Sequence, residues 1–264
     1  MRIHTILGIN FFGGTSREAV DQISRSGGLL VAPAAPSLIN VCRDEEYRQA
    51  ILASDLAIAD SGFMVMLWKL FTGETVPRIS GLEYVKRLIE HESVQQPGAV
   101  LWVVATGSSG ERLLAFLRSG EYKRLLCSGI PVSEEDIFVA PKYGRPVEDE
   151  ALLGIASQNH PRHIVVAVGG GVQDKLGRYL LERLEYRPAI HCIGAALGFL
   201  TGDQVRIPDW ADKYYLGWFF RSLAQPKVFV PRFWSARKLP WLIWKYRDRL
   251  PPLENQKGGA GSDK

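Results

Sequence analysis

RHIVVAVGGGVQDKLGRYLLERL, residues 162–184, passes from an apolar run through three glycines into a segment with helical spacing. A short apolar run bounded by turn residues suits a buried strand, and the glycines suit a tight strand-to-helix turn. Residues 98–120, GAVLWVVATGSSGERLLAFLRSG, repeat the same order of strand, Gly/Ser turn and helix. Strands alternating with helices build βαβ units around a parallel sheet.

Outward from these two units the pattern continues. RIHTILGI at 2–9 reads as a first strand, GLLVAPA at 28–34 as a second, and DLAIAD at 55–60 as a third that stops at Asp60. PAIHCIGAA at 188–196 is a further strand, followed by GFLTG. Between them, TSREAVDQISRSG at 15–27 carries Thr15 or Ser16 as an N-cap, with Gly27 and Gly28 ending the helix. RDEEYRQAILAS at 43–54 is an acid-initiated helix, and GFMVMLWKLF at 62–71, apolar nearly all round, reads as a buried one. GLEYVKRLIEHE at 81–92 is amphipathic, with Leu82, Val85, Leu88 and Ile89 on one face. The expected fold is α/β: a Rossmann-like, mainly parallel sheet flanked by helices, over residues 1–208. Residues 209–250 read as a basic, aromatic, helical C-terminal appendage, and 251–264 as a tail of disordered composition.

The 264 residues are enough to bury a core without covalent staples, and 46% hydrophobic with 23% charged residues is ordinary globular composition. Cys42, Cys127 and Cys192 lie far apart without CxxC spacing, which argues against a disulfide framework or a zinc site and for a reducing compartment. MRIHTILGINFFGG has no small-residue cleavage site after its apolar run, so a strand is expected there rather than a signal peptide. No uninterrupted apolar window has the length of a membrane span.

In an open parallel sheet, ligands bind at the carboxyl ends of the strands. Asp60, TGSSG at 106–110 and GGGVQD at 169–174 all fall there. Neither glycine turn has the GxGxxG or GxxxxGK[ST] spacing. Each is either a phosphate cradle of backbone N–H groups or simply a tight turn. Asp60 is either a cap for the following helix or a general base at a strand end. Arg78 is a surface arginine or a phosphate partner. His160 and His163 in HPRH have no metal-binding pattern, and neither a metal nor a cofactor is expected.

The charge is uneven. Residues 213–249 hold nine Lys or Arg and one acid, a net +8 in a chain of +4, which leaves −4 for the remainder. The same segment holds eleven aromatics, among them Trp218, Trp234, Trp241 and Trp244. Basic side chains among Trp and Tyr suit an anionic membrane surface, with nucleic acid as the competing partner and packing on the core or a second subunit as the plain alternative. The membrane surface is the expected partner, and nucleic acid is not.

Taken in order, these segments resemble the WecG/TagA/CpsF glycosyltransferase family, which builds bacterial surface polysaccharides and wall polymers. ADSGFMVMLWKLFTGETVPRISGLE is similar to that family's D-G-x-G…R-V-T-G-x-D block, with Asp60 on the base, Arg78 on the arginine and Glu83 where an Asp is usual. VGGGVQDK resembles the G-x-P-K-Q-E turn, with Gln173 on the glutamine and Asp174 in place of the glutamate. CIGAALGFLTGDQVRIPDWADKYYLGWFFRSLAQPKVFVPRFW follows the family's G-x-x-F-D-F-x-x-G…R-A-P…G-L-E-W…R-L…P-x-R pattern, with Gly198 where the family carries Asp. The family's Thr-x-Asn is APAAPS here, with Ser37 the nearby hydroxyl. The resemblance implies an inverting transferase that moves a sugar from a UDP-sugar to a polyprenyl-diphosphate-linked acceptor. Asp60 and Arg78 would be catalytic, and Ser37, Glu83, Thr106, Gly107, Gly169, Gly170, Gln173 and Gly194 would contact the donor. Arg206, Arg221, Arg232, Trp218 and Trp234 would meet a diphosphate or the lipid acceptor. The expected location is the cytoplasmic face of the bacterial inner membrane, held peripherally, with a homo-oligomer or a polysaccharide-assembly partner possible there. The alternative is a catalytically silent relative that binds a nucleotide-sugar or lipid.

Overall fold

The structure, a computed structural model, describes residues 2–119, 132–194, 196–202, 234 and 236–254. In chain order it runs β1 (Ile3–Ile6), β2 (Ile9–Phe12), α1 (Ser16–Ser26), β3 (Gly28–Val31), α2 (Ala35–Leu38), α3 (Glu45–Leu52) and β4 (Leu56–Ala57). Then follow α4 (Gly62–Thr72), α5 (Gly81–Glu90), β5 (Val100–Val104), α6 (Gly107–Arg118), β6 (Ile137–Val139), α7 (Glu150–Asn159) and β7 (His163–Ala167). The last described elements are α8 (Val172–Arg183), β8 (Ala189–Cys192), α9 (Ala196–Thr201) and α10 (Leu239–Tyr246).

The eight strands form one sheet in the order β1-β2-β4-β3-β8-β7-β5-β6. Every neighbouring pair is parallel except β1 with β2, so the mainly parallel, Rossmann-like α/β expectation holds. Side chains alternate across a strand, and the core divides accordingly. Leu29, Val31, Leu101, Val103, Ile164 and Val166 face the side covered by α3, α4, α7, α8 and α10. Leu30, Val100, Trp102, Val104 and Val165 face the side covered by α1, α5, α6 and α9. Because both faces are covered, the strands read as continuous apolar runs rather than alternating ones.

Two elements differ from the sequence reading. Residues 2–9 are not one strand but the first arm and turn of a hairpin over 3–12, turning through Leu7 and Gly8, both at positive φ. Leucine rarely adopts that conformation; here the C-terminal segment holds it, with Leu7 N–H donating to Arg247 O (2.7 Å) and Gly8 N–H to Asp248 O (3.0 Å). Likewise α4 is buried only on the side carrying Met64, Val65, Leu67 and Trp68, and it exposes Met66 and Leu70. Of the two N-cap candidates for α1, Thr15 is the cap: its Oγ1 accepts from Glu18 N, and Glu18 Oε2 accepts from Thr15 N.

The chain leaves β3 toward α2 and α3 on one face of the sheet and leaves β8 toward α9 on the other. Adjacent strands whose connections diverge in this way open a crevice at their carboxyl ends.

Candidate active site

Around that crevice the segments after β3, β4, β7 and β8 converge. After β4, Ile58 N–H donates to Val31 O (2.9 Å), and the chain turns at Asp60. Ser61, not Asp60, caps α4: its Oγ accepts from Met64 N. Asp60 is instead held by the return segment. Its Oδ1 accepts from Gly81 N–H at the start of α5 (2.8 Å), and its carbonyl accepts from Arg78 Nε (3.0 Å). Asp60 and Arg78, eighteen residues apart in sequence, thus lie side by side.

The second half of the site is the glycine turn after β7. Gly169 and Gly171 have φ of 112° and 89°, values that an L side chain resists. They set the start of the twelve-residue α8 at the crevice; a helix start carries N–H groups suited to an anion, although here Gly171 N–H and Gln173 N–H are taken by Asp174 Oδ2 and Gly169 O. Gln173 is 2% exposed, yet its Oε1 has no protein partner among the described residues. A buried amide oxygen without a partner carries a free-energy cost that a ligand donor or water relieves. Ser37, from α2, closes the same turn: a Cβ on Gly170 would sit 2.7 Å from its Oγ.

The short segment after β8 joins the two halves. A Cβ on Gly81 would stand 3.5 Å from Ile193 O and 3.8 Å from Asp60 Oδ1. One on Gly194, itself at φ 60°, would meet the Gln173 amide at 3.4 Å. Asp60 and Arg78 therefore sit on one side of Ile193–Gly194, and Gln173, Gly170 and Ser37 on the other.

A profile of the glycosyl transferase WecG/TagA/CpsF family matches residues 4–254. The chain belongs to that family. Membership in this glycosyltransferase family gives the chain a transferase role, and the residues that the family resemblance singles out can be placed one by one.

Asp60, Arg78, Ser37, Gly169, Gly170, Gln173 and Gly194 come together around the crevice between β3 and β8. Thr106 and Gly107 lie at the same sheet edge, but at β5, on the far side of β7 from β8. There Thr106 Oγ1 caps α6 and bonds to Ser108 and Ser109. Glu83 turns to the opposite flank of α5, where its Oε1 accepts from Ser16 Oγ of α1 (2.6 Å). Trp234 is exposed, with the Arg237 guanidinium over its ring at 5.0 Å. Arg206, Trp218, Arg221 and Arg232 lie outside the described residues.

Two contributors, Gly81 and Lys175, were not singled out from sequence, and Asp174 was singled out only as the residue in place of the family's glutamate. Gly81 supplies the N–H that fixes Asp60; the Ser-Gly pair opening the helix at 80–81 was the available signal. Lys175, nearly buried, bonds Asp44 (2.7 Å) and Glu46 (3.2 Å) of the α3 start and so anchors the first turn of α8 from behind. Asp174 is buried beside Gln173, and its Oδ2 accepts from Gly171 N–H (3.0 Å). Burial raises its pKa to about 6, against the lowering effect of that N–H.

Proposed function

We propose that the chain transfers a sugar from a UDP-sugar, N-acetylmannosamine-like or related, to a polyprenyl-diphosphate-linked sugar in bacterial surface-polysaccharide biosynthesis. The observation that carries this reading is the pairing of Asp60 and Arg78 beside an N-terminal helix turn where the buried Gln173 Oε1 has no partner among the described residues. In a single displacement, the Asp60 carboxylate takes the proton of the acceptor hydroxyl as that oxygen bonds to the anomeric carbon. The bond from that carbon to the donor diphosphate breaks on the opposite face, which inverts the centre. Charge then grows on the departing nucleoside diphosphate, where the Arg78 guanidinium and the N–H groups of the α8 start would counter it. Gln173 and Ser37 would orient the donor, and no step requires a metal.

The acceptor in this reading is a lipid, and a peripheral position on the cytoplasmic face of the inner membrane would bring the enzyme to it. No helix among the described residues is long and apolar enough to cross a membrane.

The test is release of UDP, and formation of a lengthened lipid-linked product, from a panel of UDP-sugars with a polyprenyl-diphosphate-sugar acceptor. Asp60→Asn should lower kcat by about 10²–10⁴-fold, the usual scale of general-base catalysis, with UDP-sugar binding retained. Asp60→Asn turnover equal to wild type removes the base assignment. Donor binding without turnover by the wild-type protein across the whole panel removes the transfer reaction.

A further inference from the structure

A second polar system, separate from the crevice, runs through the core. Tyr84 Oη on α5 lies 2.8 Å from His191 Nδ1 on β8, and His191 Nε2 lies 3.0 Å from His163 Nδ1 on β7. His163 Nε2 is 2.8 Å from Ser93 Oγ, which is 2.6 Å from His91 Nδ1. His91 Nε2 ends the path 3.4 Å from Asp21 Oδ1 of α1, in a surface cleft of about 480 Å³. Tyr84, His163 and His191 are fully buried.

The order of hydrogens along this path follows from its surface end. The backbone N–H of Ser93 points at His91 Nδ1 (3.3 Å) and can only donate, so Nδ1 carries the lone pair. The ring proton of His91 is therefore on Nε2, facing the Asp21 carboxylate, which accepts. With Nδ1 an acceptor, Ser93 Oγ–H donates to it, and Ser93 Oγ in turn accepts from His163 Nε2–H. His163 Nδ1 is then an acceptor for His191 Nε2–H, and His191 Nδ1 accepts the Tyr84 hydroxyl. Every donor meets an acceptor in this order. In the reverse order the Tyr84 hydrogen has no acceptor among the described residues, at the cost of a buried unsatisfied donor. Burial keeps both inner rings uncharged: it pushes His163 down to about 3 and His191 well below the ordinary histidine value.

The inner end of the path lies next to the candidate site. Tyr84 is one turn along α5 from Gly81, whose N–H holds Asp60. His191 is two residues before Ile193, which abuts Gly81. We propose that this path is a directional brace. Its hydrogens run outward from Tyr84 to Asp21 with all three imidazoles as neutral Nε2–H tautomers, and the locked order positions the first turn of α5 and so the Gly81 N–H that fixes Asp60. Tyr84 and His191 are positioning residues. The importance of that position to catalysis rests on the proposed transfer reaction; the brace itself does not.

Long-range ¹⁵N–¹H correlation spectra of the full chain test the order directly, with His91, His163 and His191 assigned by single substitution to Gln. The expected spectrum shows a protonated Nε2 and a bare Nδ1 on all three rings at neutral pH. Nδ1–H on His163 or His191, or tautomers averaging rapidly there, overturns the proposal. Ser93→Ala cuts the path while leaving the backbone N–H, and a second tautomeric population should appear at both inner rings; a spectrum identical to wild type at those rings shows that order is not transmitted. Tyr84→Phe should speed amide exchange at Gly81 by about tenfold beyond any change in the core-strand amides, the scale of one lost hydrogen bond. Exchange at Gly81 that merely follows the core overturns the positioning role. None of these readouts needs substrate, so failure of the transfer assay and failure of the brace are separate results.

Discussion

At the crevice, single residues carry consequences that reach beyond their own contacts. Asp174 has a folded-state pKa of about 6, above the ordinary aspartate value, because burial penalises its charge. The native state therefore holds this proton more tightly than the unfolded chain does. Its stabilising contribution is complete below about pH 4 and is lost as pH rises through about 6. Asp174→Asn keeps an acceptor for Gly171 N–H and removes the buried charge. The variant should match wild type near pH 4 and exceed it near pH 8 by on the order of 2–3 kcal/mol, read from urea midpoints at the two pH values; equal gains at both would refute the linkage. Gly194→Ala tests the other side of the segment. A non-glycine residue at φ 60° costs about 1–2 kcal/mol, and the added carbon crowds the Gln173 amide. Stability should fall by that amount, and, if the proposed donor is the ligand of this crevice, calorimetry should show UDP-sugar binding weakened by about tenfold, one hydrogen bond's worth. Asp60 itself was legible in the sequence as a polar residue ending an apolar run. Its partner Gly81 was not, because the pairing depends on how α4 and the return segment carry residues 78–81 back to the sheet.

Helices and strands were readable in proportion to how far local pattern fixed them. The strand-glycine-helix units at 98–118 and 163–183 appear where their apolar runs and turns place them. The hairpin at 3–12 escaped because its turn contains Leu7, fully buried and held at positive φ by backbone hydrogen bonds from Leu7 and Gly8 to the turn at 247–248, far along the chain. Tertiary contact overrode local preference there. The amphipathic character of α4 was equally hidden, since Met66 and Leu70 on its exposed side are as apolar as the residues it buries. Helix packing also explains one glycine that a propensity argument gets backwards. In α8, Gly177 faces the sheet, and a Cβ there would stand 2.6 Å from Cys192 Sγ and 2.7 Å from Leu29 Cδ1. Alanine in a free helix would gain about 1 kcal/mol. Here overpacking should outweigh that, so Gly177→Ala should lower stability by about 1–2 kcal/mol net, seen as a lower urea midpoint with an unchanged slope.

On the scale of the whole molecule, residues 236–254 are fastened to the α/β body. Leu239, Leu242 and Ile243 bury one face of α10 in the core against α4, Arg43 pairs with Glu254 (3.1 Å), and Leu250 covers Gly8. What this fastening leaves outward is apolar and basic together. Leu70 on α4 is 72% exposed, and Trp241 and Trp244 on α10 are at least half exposed. Lys245 lies 4.7 Å from the Trp241 ring centre, and Lys69, Arg237 and Lys238 are exposed on the same two elements and the turn before α10. Aromatic rings with cations beside them suit the headgroup layer of an anionic bilayer, where each Lys or Arg near the surface contributes about 1 kcal/mol. If the enzyme meets a lipid-linked acceptor there, the full chain should float with vesicles containing anionic phospholipid and much less with zwitterionic ones. Binding should weaken as salt rises, because the surface potential is screened. A Trp241→Ser, Trp244→Ser, Leu70→Ser protein should lose at least about tenfold in vesicle affinity at constant salt, given the apolar area removed. Its thermal midpoint should stay within a few degrees of wild type, because these side chains are at least half exposed. Flotation that ignores lipid charge, or a triple variant that binds as wild type does, would move the lipid contact away from α4 and α10. A variant that loses vesicle binding yet still transfers sugar at full rate to a short-chain, water-soluble acceptor would separate the proposed role of this face, delivery to the bilayer, from the proposed chemistry at Asp60.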